Sequence, residues 1–195
     1  MTTRRAALML GYRTALLAGL SVGPLSATQA QINREQVPPT PQWRNVLGTP
    51  RLVGQQRFTY WGFDVYDARL WASAPFAPDD WAKQLLVLEL RYLRDFKGTD
   101  IAQRSMDEMQ GQRPLSATQL THWSATLQAL IPNVRVGEHI TGIYTPDKGM
   151  QLLHQDRLLG ELRDADLAQR FMGIWLAPET SQRKLRQQLL AGAQP

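Results

Sequence analysis

The 195-residue chain has no cysteine and only three histidines. Disulfides, thiolate nucleophiles, cysteine-bound metals and a lipid-modified cysteine are therefore excluded. His122, His139 and His154 fit no zinc spacing, so no metal is expected. A glycine-rich phosphate loop, a nucleophile elbow and a paired-carboxylate motif are also missing, and no cofactor is implied. Charge of one sign is scarce too. Three of the 22 Lys and Arg residues lie in the first thirty positions, which hold no acid; this leaves 19 bases against 17 acids, a net charge of +2. No basic cluster is interleaved with aromatics, so nucleic acid is not an expected partner.

The first thirty residues, MTTRRAALMLGYRTALLAGLSVGPLSATQA, read as an export signal. Arg4 and Arg5 give a positive start, ALLAGL an apolar centre, and TQA before Gln31 small residues for a peptidase. Arg13 and Pro24 break the apolar run, so a membrane span of about 20 residues is not expected. The arginine pair resembles a twin-arginine leader with alanine where phenylalanine is favoured, which leaves the general secretory and twin-arginine routes both open. The expectation is a periplasmic protein with no integral membrane segment after signal removal. From Gln31 to Pro50 four prolines and little periodicity indicate an extended lead-in, placed at residues 31–47, before one domain over residues 48–192.

Within that domain, RLVGQQRFTYWGFDVYDARLWA is rich in aromatic and β-branched residues and predicts two strands with a bend or bulge at Gly62. A third strand follows in KQLLVLELRYLRDF, with Leu86, Leu88, Leu90 and Tyr92 on one face. Helical periods then run from Thr99 and Asp100 through Met109, and from Leu120 to Ile131 before Pro132. Ser116 with Gln119 fits a capping box ahead of the second. HITGIYTPDKGMQLLHQDRLLGELR predicts two hairpins turning at PDKG and QD. Asp164 caps a helix carrying Leu167, Phe171, Ile174 and Trp175, and a last short helix holds Leu185, Leu189 and Leu190. The order of strands, two helices, strands and two helices predicts an α+β fold, an antiparallel sheet covered on one face by helices.

The segments GFDVYDARLW, LRYLRDFKGTDIAQRSMDEM, LIPNVRVGEHITGIYTPDKGM, LLGEL and FMGIWLAPETSQRKLRQQLL, in this order, resemble the bacterial chalcone-isomerase-like proteins. The resemblance implies the open-faced β-sandwich of chalcone isomerase. It does not carry the activity, since function belongs to sites and not to folds. Matching the plant enzymes' active-site helix puts their Tyr at Ile101, their Lys at Arg104 and their Asn at Glu108. Their strand Thr falls near Trp61, and their first-strand Arg corresponds to Arg51. Only positive charge survives at these positions, and the cyclisation needs donors held close to the reacting oxygen. Isomerisation of the plant type is therefore not expected.

Arg104 has two readings. The resemblance extends to fatty-acid-binding members, in which a guanidinium clamps a carboxylate. Alternatively Asp100, Arg104 and Glu108, at i, i+4 and i+8, form a solvated ion-pair row. Tyr66, Tyr92 and Trp61 are either core aromatics or the walls of a pocket. The candidate ligand site is therefore Arg104, Tyr66, Tyr92, Trp61 and Arg51, and the expected partner is a small apolar or carboxylate-bearing molecule. An isomerase or intramolecular lyase with an altered site, and a structural or partner-binding module with a filled interior, are the alternatives. A pocket beside Arg104 separates the first two readings from the third.

Overall fold

A computed structural model of the chain describes residues 43–192. The expected signal and the lead-in up to residue 42 lie outside the described residues. Helix α1 (Trp43–Leu47) comes first, followed by strands β1 (Arg51–Tyr60) and β2 (Phe63–Ala72). A 3-10 turn at Pro78–Lys83 leads into β3 (Leu86–Tyr92), and helices α2 (Gly98–Gln112) and α3 (Ala117–Leu130) lead to β4 (His139–Thr145). Strands β5 (Gly149–His154) and β6 (Arg157–Leu162) and helices α4 (Ala165–Leu176) and α5 (Arg183–Leu189) complete the domain. The six strands lie in chain order in one sheet, and every neighbouring pair is antiparallel.

The turns explain the register. Trp61 and Gly62 have φ of 51° and 79°, the paired positive values of a two-residue hairpin whose twist matches its strands. The residue read as a bend is thus half of a tight turn. Gln155 and Asp156 do the same between β5 and β6, with φ of 50° and 63° and no glycine.

One face of the sheet is sealed by α2, α4 and α5. Alternate residues Ala68, Leu70 and Ala72 of β2 and Leu86, Leu88, Leu90 and Tyr92 of β3 point into it, all buried. The capping box is present: the Ser116 hydroxyl accepts from the Gln119 N–H while the Gln119 side chain accepts from the Ser116 N–H. Asp164 does two jobs. Its carboxylate accepts the first N–H groups of α4, and it takes a 2.8 Å hydrogen bond from the Trp123 indole, tying α3 to the start of α4.

The opposite face is only partly covered, which makes the sandwich open. Helix α1 lays Trp43 and Leu47 on Val87, Ile143 and Leu153, and the Arg44 guanidinium sits over the Trp43 and Trp71 rings. This corrects the expected lead-in. The chain is already part of the domain at Trp43, whose indole is 1% exposed, because the sheet's second apolar patch needs cover. Beyond that patch the face carries ion pairs, the exposed Arg57–Asp67 and the part-buried Arg69–Glu89 among them. Among the described residues no helix is long and apolar enough to cross a membrane.

Candidate functional site

The site begins with an aromatic row laid across three strands. Because Phe58 pairs with Tyr66, and Tyr66 with Tyr92, their rings share the helix-covered face. Phe58 stacks on Tyr66 at 5.0 Å, Tyr66 meets Tyr92 edge-on at 6.1 Å, and Tyr92 reaches Phe96 at 5.8 Å. Helices α2 and α4 cover this row without filling the space above it. What remains is a cavity of about 290 Å³, at the lower end of the size range of ligand pockets. Leu88, Leu90, Ile140 and Leu152 form its floor, Phe171, Ile174 and Trp175 one wall, and Ile101 and Arg104 the other.

Helix α2 is fixed over this cavity by its ends and its buried stripe. The Gly98 N–H donates to the Asn133 side chain at 2.9 Å, and a Cβ on Gly98 would lie 2.0 Å from the Ile131 carbonyl oxygen. Glycine is required there by the close approach of two helix ends. Ala102, Ser105, Met106 and Met109 turn inward, and the Ser105 hydroxyl donates to the Ile101 carbonyl at 2.8 Å. That proton is therefore used within the helix and is not offered to the cavity.

The polar groups deep in the cavity are few, and two of them are phenols. The Trp175 indole N–H donates to the Tyr66 hydroxyl oxygen at 3.0 Å, which leaves the Tyr66 proton free to be given to a guest. The Tyr92 hydroxyl has no hydrogen-bond partner among the described residues, although Tyr92 is only 4% exposed. Burial pushes both phenols well above the ordinary tyrosine value; the nearby Glu108 carboxylate adds to the rise at Tyr66. Both are thus neutral donors at any physiological pH. At the edge, Arg104 forms an ion pair with Glu108 and packs over the Tyr60 ring at 5.2 Å. Glu108 also accepts from the Ser181 hydroxyl at 2.6 Å.

The two readings of Arg104 thus meet in one side chain. It lines the cavity, and it pairs with Glu108, one rung of the anticipated row; no ion pair joins it to Asp100 among the described residues.

The family model described as chalcone isomerase-like matches residues 56–191, most of the chain. The chain belongs to the chalcone isomerase-like family. An uncharacterized protein of Haemophilus influenzae is 28% identical over 138 residues, covering 71% of this chain and 66% of its own length. Among solved structures, the Arabidopsis thaliana fatty-acid binding protein superimposes with a TM-score of 0.58 at 11% identity, over 74% of this chain and 88% of that one. At that identity the likeness shows the shared fold.

Within the chalcone-isomerase-like fold the three positions matched on α2, Ile101, Arg104 and Glu108, all reach the cavity. Tyr66 and Tyr92 line it as well. Trp61 and Arg51 do not, and both are corrections. Trp61 sits at the tip of the β1–β2 turn, 83% exposed, because the hairpin register sends its neighbour Tyr60 to the cavity instead. Arg51 opens β1 opposite Ala72, at the far end of the strand from the Phe58–Tyr66 pair, and is exposed. Phe58, Tyr60, Phe96 and Trp175 were not among the expected site residues. An X-Gly dipeptide between two aromatic-rich runs was the available signal for the first two, since a two-residue turn at Trp61-Gly62 fixes Phe58 opposite Tyr66.

Proposed function

We propose that this domain encloses one small apolar molecule ending in a carboxylate, of the size of a medium-chain fatty acid, and performs no chemistry on it. The observation that carries this reading is the lining of the cavity. Its walls are apolar and aromatic, the neutral Tyr66 and Tyr92 side chains lie among them, and Arg104 stands at the edge with the Asp100 and Glu108 carboxylates. Each buried methylene contributes about 0.8 kcal/mol, so the tail supplies most of the affinity. Hydrogen bonds to a charged head add about 1.5–3 kcal/mol and fix its direction. The fatty-acid binding protein of the same fold supports the same class of guest.

An altered isomerase remains the alternative enzyme reading, and the side chains weigh against it. A base must release its own proton before it can take one, and burial keeps both tyrosines protonated. Glu108, the acid whose charge acts on Tyr66, is engaged by Arg104 and Ser181. The volume left open beside Arg104 weighs against a fully packed structural module.

Native mass spectrometry of the protein incubated with decanoic acid tests the binding reading. A one-to-one complex is expected, and its absence across a wide concentration range would refute it. We further propose that residues 1–30 direct export to the periplasm. Protein recovered from a Gram-negative host should begin close to Gln31, and an intact Met1 on soluble cytosolic material would contradict this.

A further inference from the structure

Seven large hydrophobic residues are exposed among the described residues, and four of them, Tyr60, Trp61, Phe63 and Val136, gather at one end of the sheet. Single exposed apolar side chains are ordinary; a group at one place marks a contact surface. The topology brings them together. Strands β1 and β3 finish at this end while β2 and β4 begin there, so the β1–β2 turn, the segment after β3 and the loop before β4 are neighbours. Arg94 links them: its guanidinium lies 4.7 Å above the Phe63 ring, and the next residue, Asp95, accepts the Val136 N–H at 2.8 Å. Trp61 holds a positive φ that bulky side chains adopt at a cost, with its indole packed on little besides Tyr60. Neither backbone preference nor core packing accounts for tryptophan there.

The charges at this end are unequal in their commitments. Asp64 is held by Arg57 at 3.0 Å, Asp95 by the Val136 N–H, and Glu138 by the Arg135 N–H and the His154 ring. Arg94, Lys97 and Arg135 are exposed and form no ion pair among the described residues; of the acids just named only Asp95 lacks one too, so the unpaired charge at this end is positive by three to one. An exposed hairpin tip carrying indole and phenyl rings, flanked by uncommitted cations, matches the interface of an anionic bilayer. Aromatic rings settle at the headgroup level there, and basic side chains meet lipid phosphates. A turn that projects in this way offers no groove to a peptide.

We infer that this end of the domain docks on anionic phospholipid surfaces, with Trp61 and Phe63 entering the headgroup layer. The inference goes beyond ligand binding and does not require a filled cavity. It does bring the cavity close to the membrane, since Tyr60 lines the cavity while the adjoining Trp61 faces outward.

Sedimentation with phosphatidylglycerol–phosphatidylcholine vesicles tests it, using the protein as its host accumulates it. Trp61→Ser/Phe63→Ser and Arg94→Gln/Arg135→Gln are carried alongside, with thermal melts to confirm that each stays folded. The unaltered protein should pellet with anionic vesicles, less so as salt rises, and each double variant should bind at least about tenfold more weakly. All three share one N-terminus, so a difference belongs to the tip. Equal binding of all three, equal binding to pure phosphatidylcholine, or no binding by the unaltered protein would overturn the inference. Dimerisation without vesicles that Trp61→Ser/Phe63→Ser abolishes would assign the surface to a second copy and overturn it as well.

Discussion

The Arg104 guanidinium already has an anionic partner, so an incoming carboxylate competes with Glu108 for it. Removing that competitor's charge should help a carboxylate. Glu108→Gln is expected to tighten binding of decanoate several-fold and to leave binding of the uncharged alcohol unchanged; weaker decanoate binding in the variant would mean that Glu108 orients the guanidinium instead. The two phenols make a prediction about pH. Their folded pKa values are raised above the ordinary 10.0, so the folded protein holds these protons more tightly than the unfolded chain does. Stability from this source is complete below the unfolded value and is lost as pH climbs beyond it. Ultraviolet titration should show Tyr66 and Tyr92 ionising only as the protein unfolds in alkali. Reversible ionisation of Tyr66 and Tyr92 near the ordinary value in folded protein would contradict their burial.

At the scale of elements, helix ends and close approaches decide stability. Ser116→Ala removes one half of the capping box of α3 and should lower unfolding stability by about 1 kcal/mol in a denaturant titration. Gly54 lets β1 meet α5: a Cβ there would fall 2.2 Å from the Gln188 carbonyl oxygen. Backbone cannot yield as a side-chain tip can, so Gly54→Ala should cost about 1–3 kcal/mol, read as a lowered denaturation midpoint. An unchanged midpoint would mean that α5 shifts freely. Elements were also what the sequence showed best. Period-2 runs, the Ser116–Gln119 pair and Asp164 as a cap are local signals, and each placed its element. Helix α1 stayed hidden because five residues are too few to display a period, and its cause is a distant apolar patch on the sheet. Arg104, Tyr66 and Tyr92 were legible through family resemblance and strand alternation. Trp61 comes from matching the plant Thr, and that match does not register the two-residue turn that puts Trp61 at the hairpin tip.

For the whole molecule, the six-stranded meander holds a cavity because one of its faces carries a row of rings where neighbouring strands carry smaller side chains. One scaffold can host many functions, so fold alone leaves the guest undecided and the lining decides it. The account stands on that lining: an apolar and aromatic interior with two neutral phenols, and one guanidinium at an edge where the Asp100 and Glu108 carboxylates also lie. Calorimetric titration of the unaltered protein and Arg104→Gln with decanoate tests it most directly. The account predicts saturable one-to-one binding by the unaltered protein and at least about tenfold weaker binding by a still-folded variant, since losing one charged hydrogen bond costs about 1.4 kcal/mol or more. Equal affinities would remove Arg104 from the site, and no heat from either protein would contradict the ligand-binding function itself.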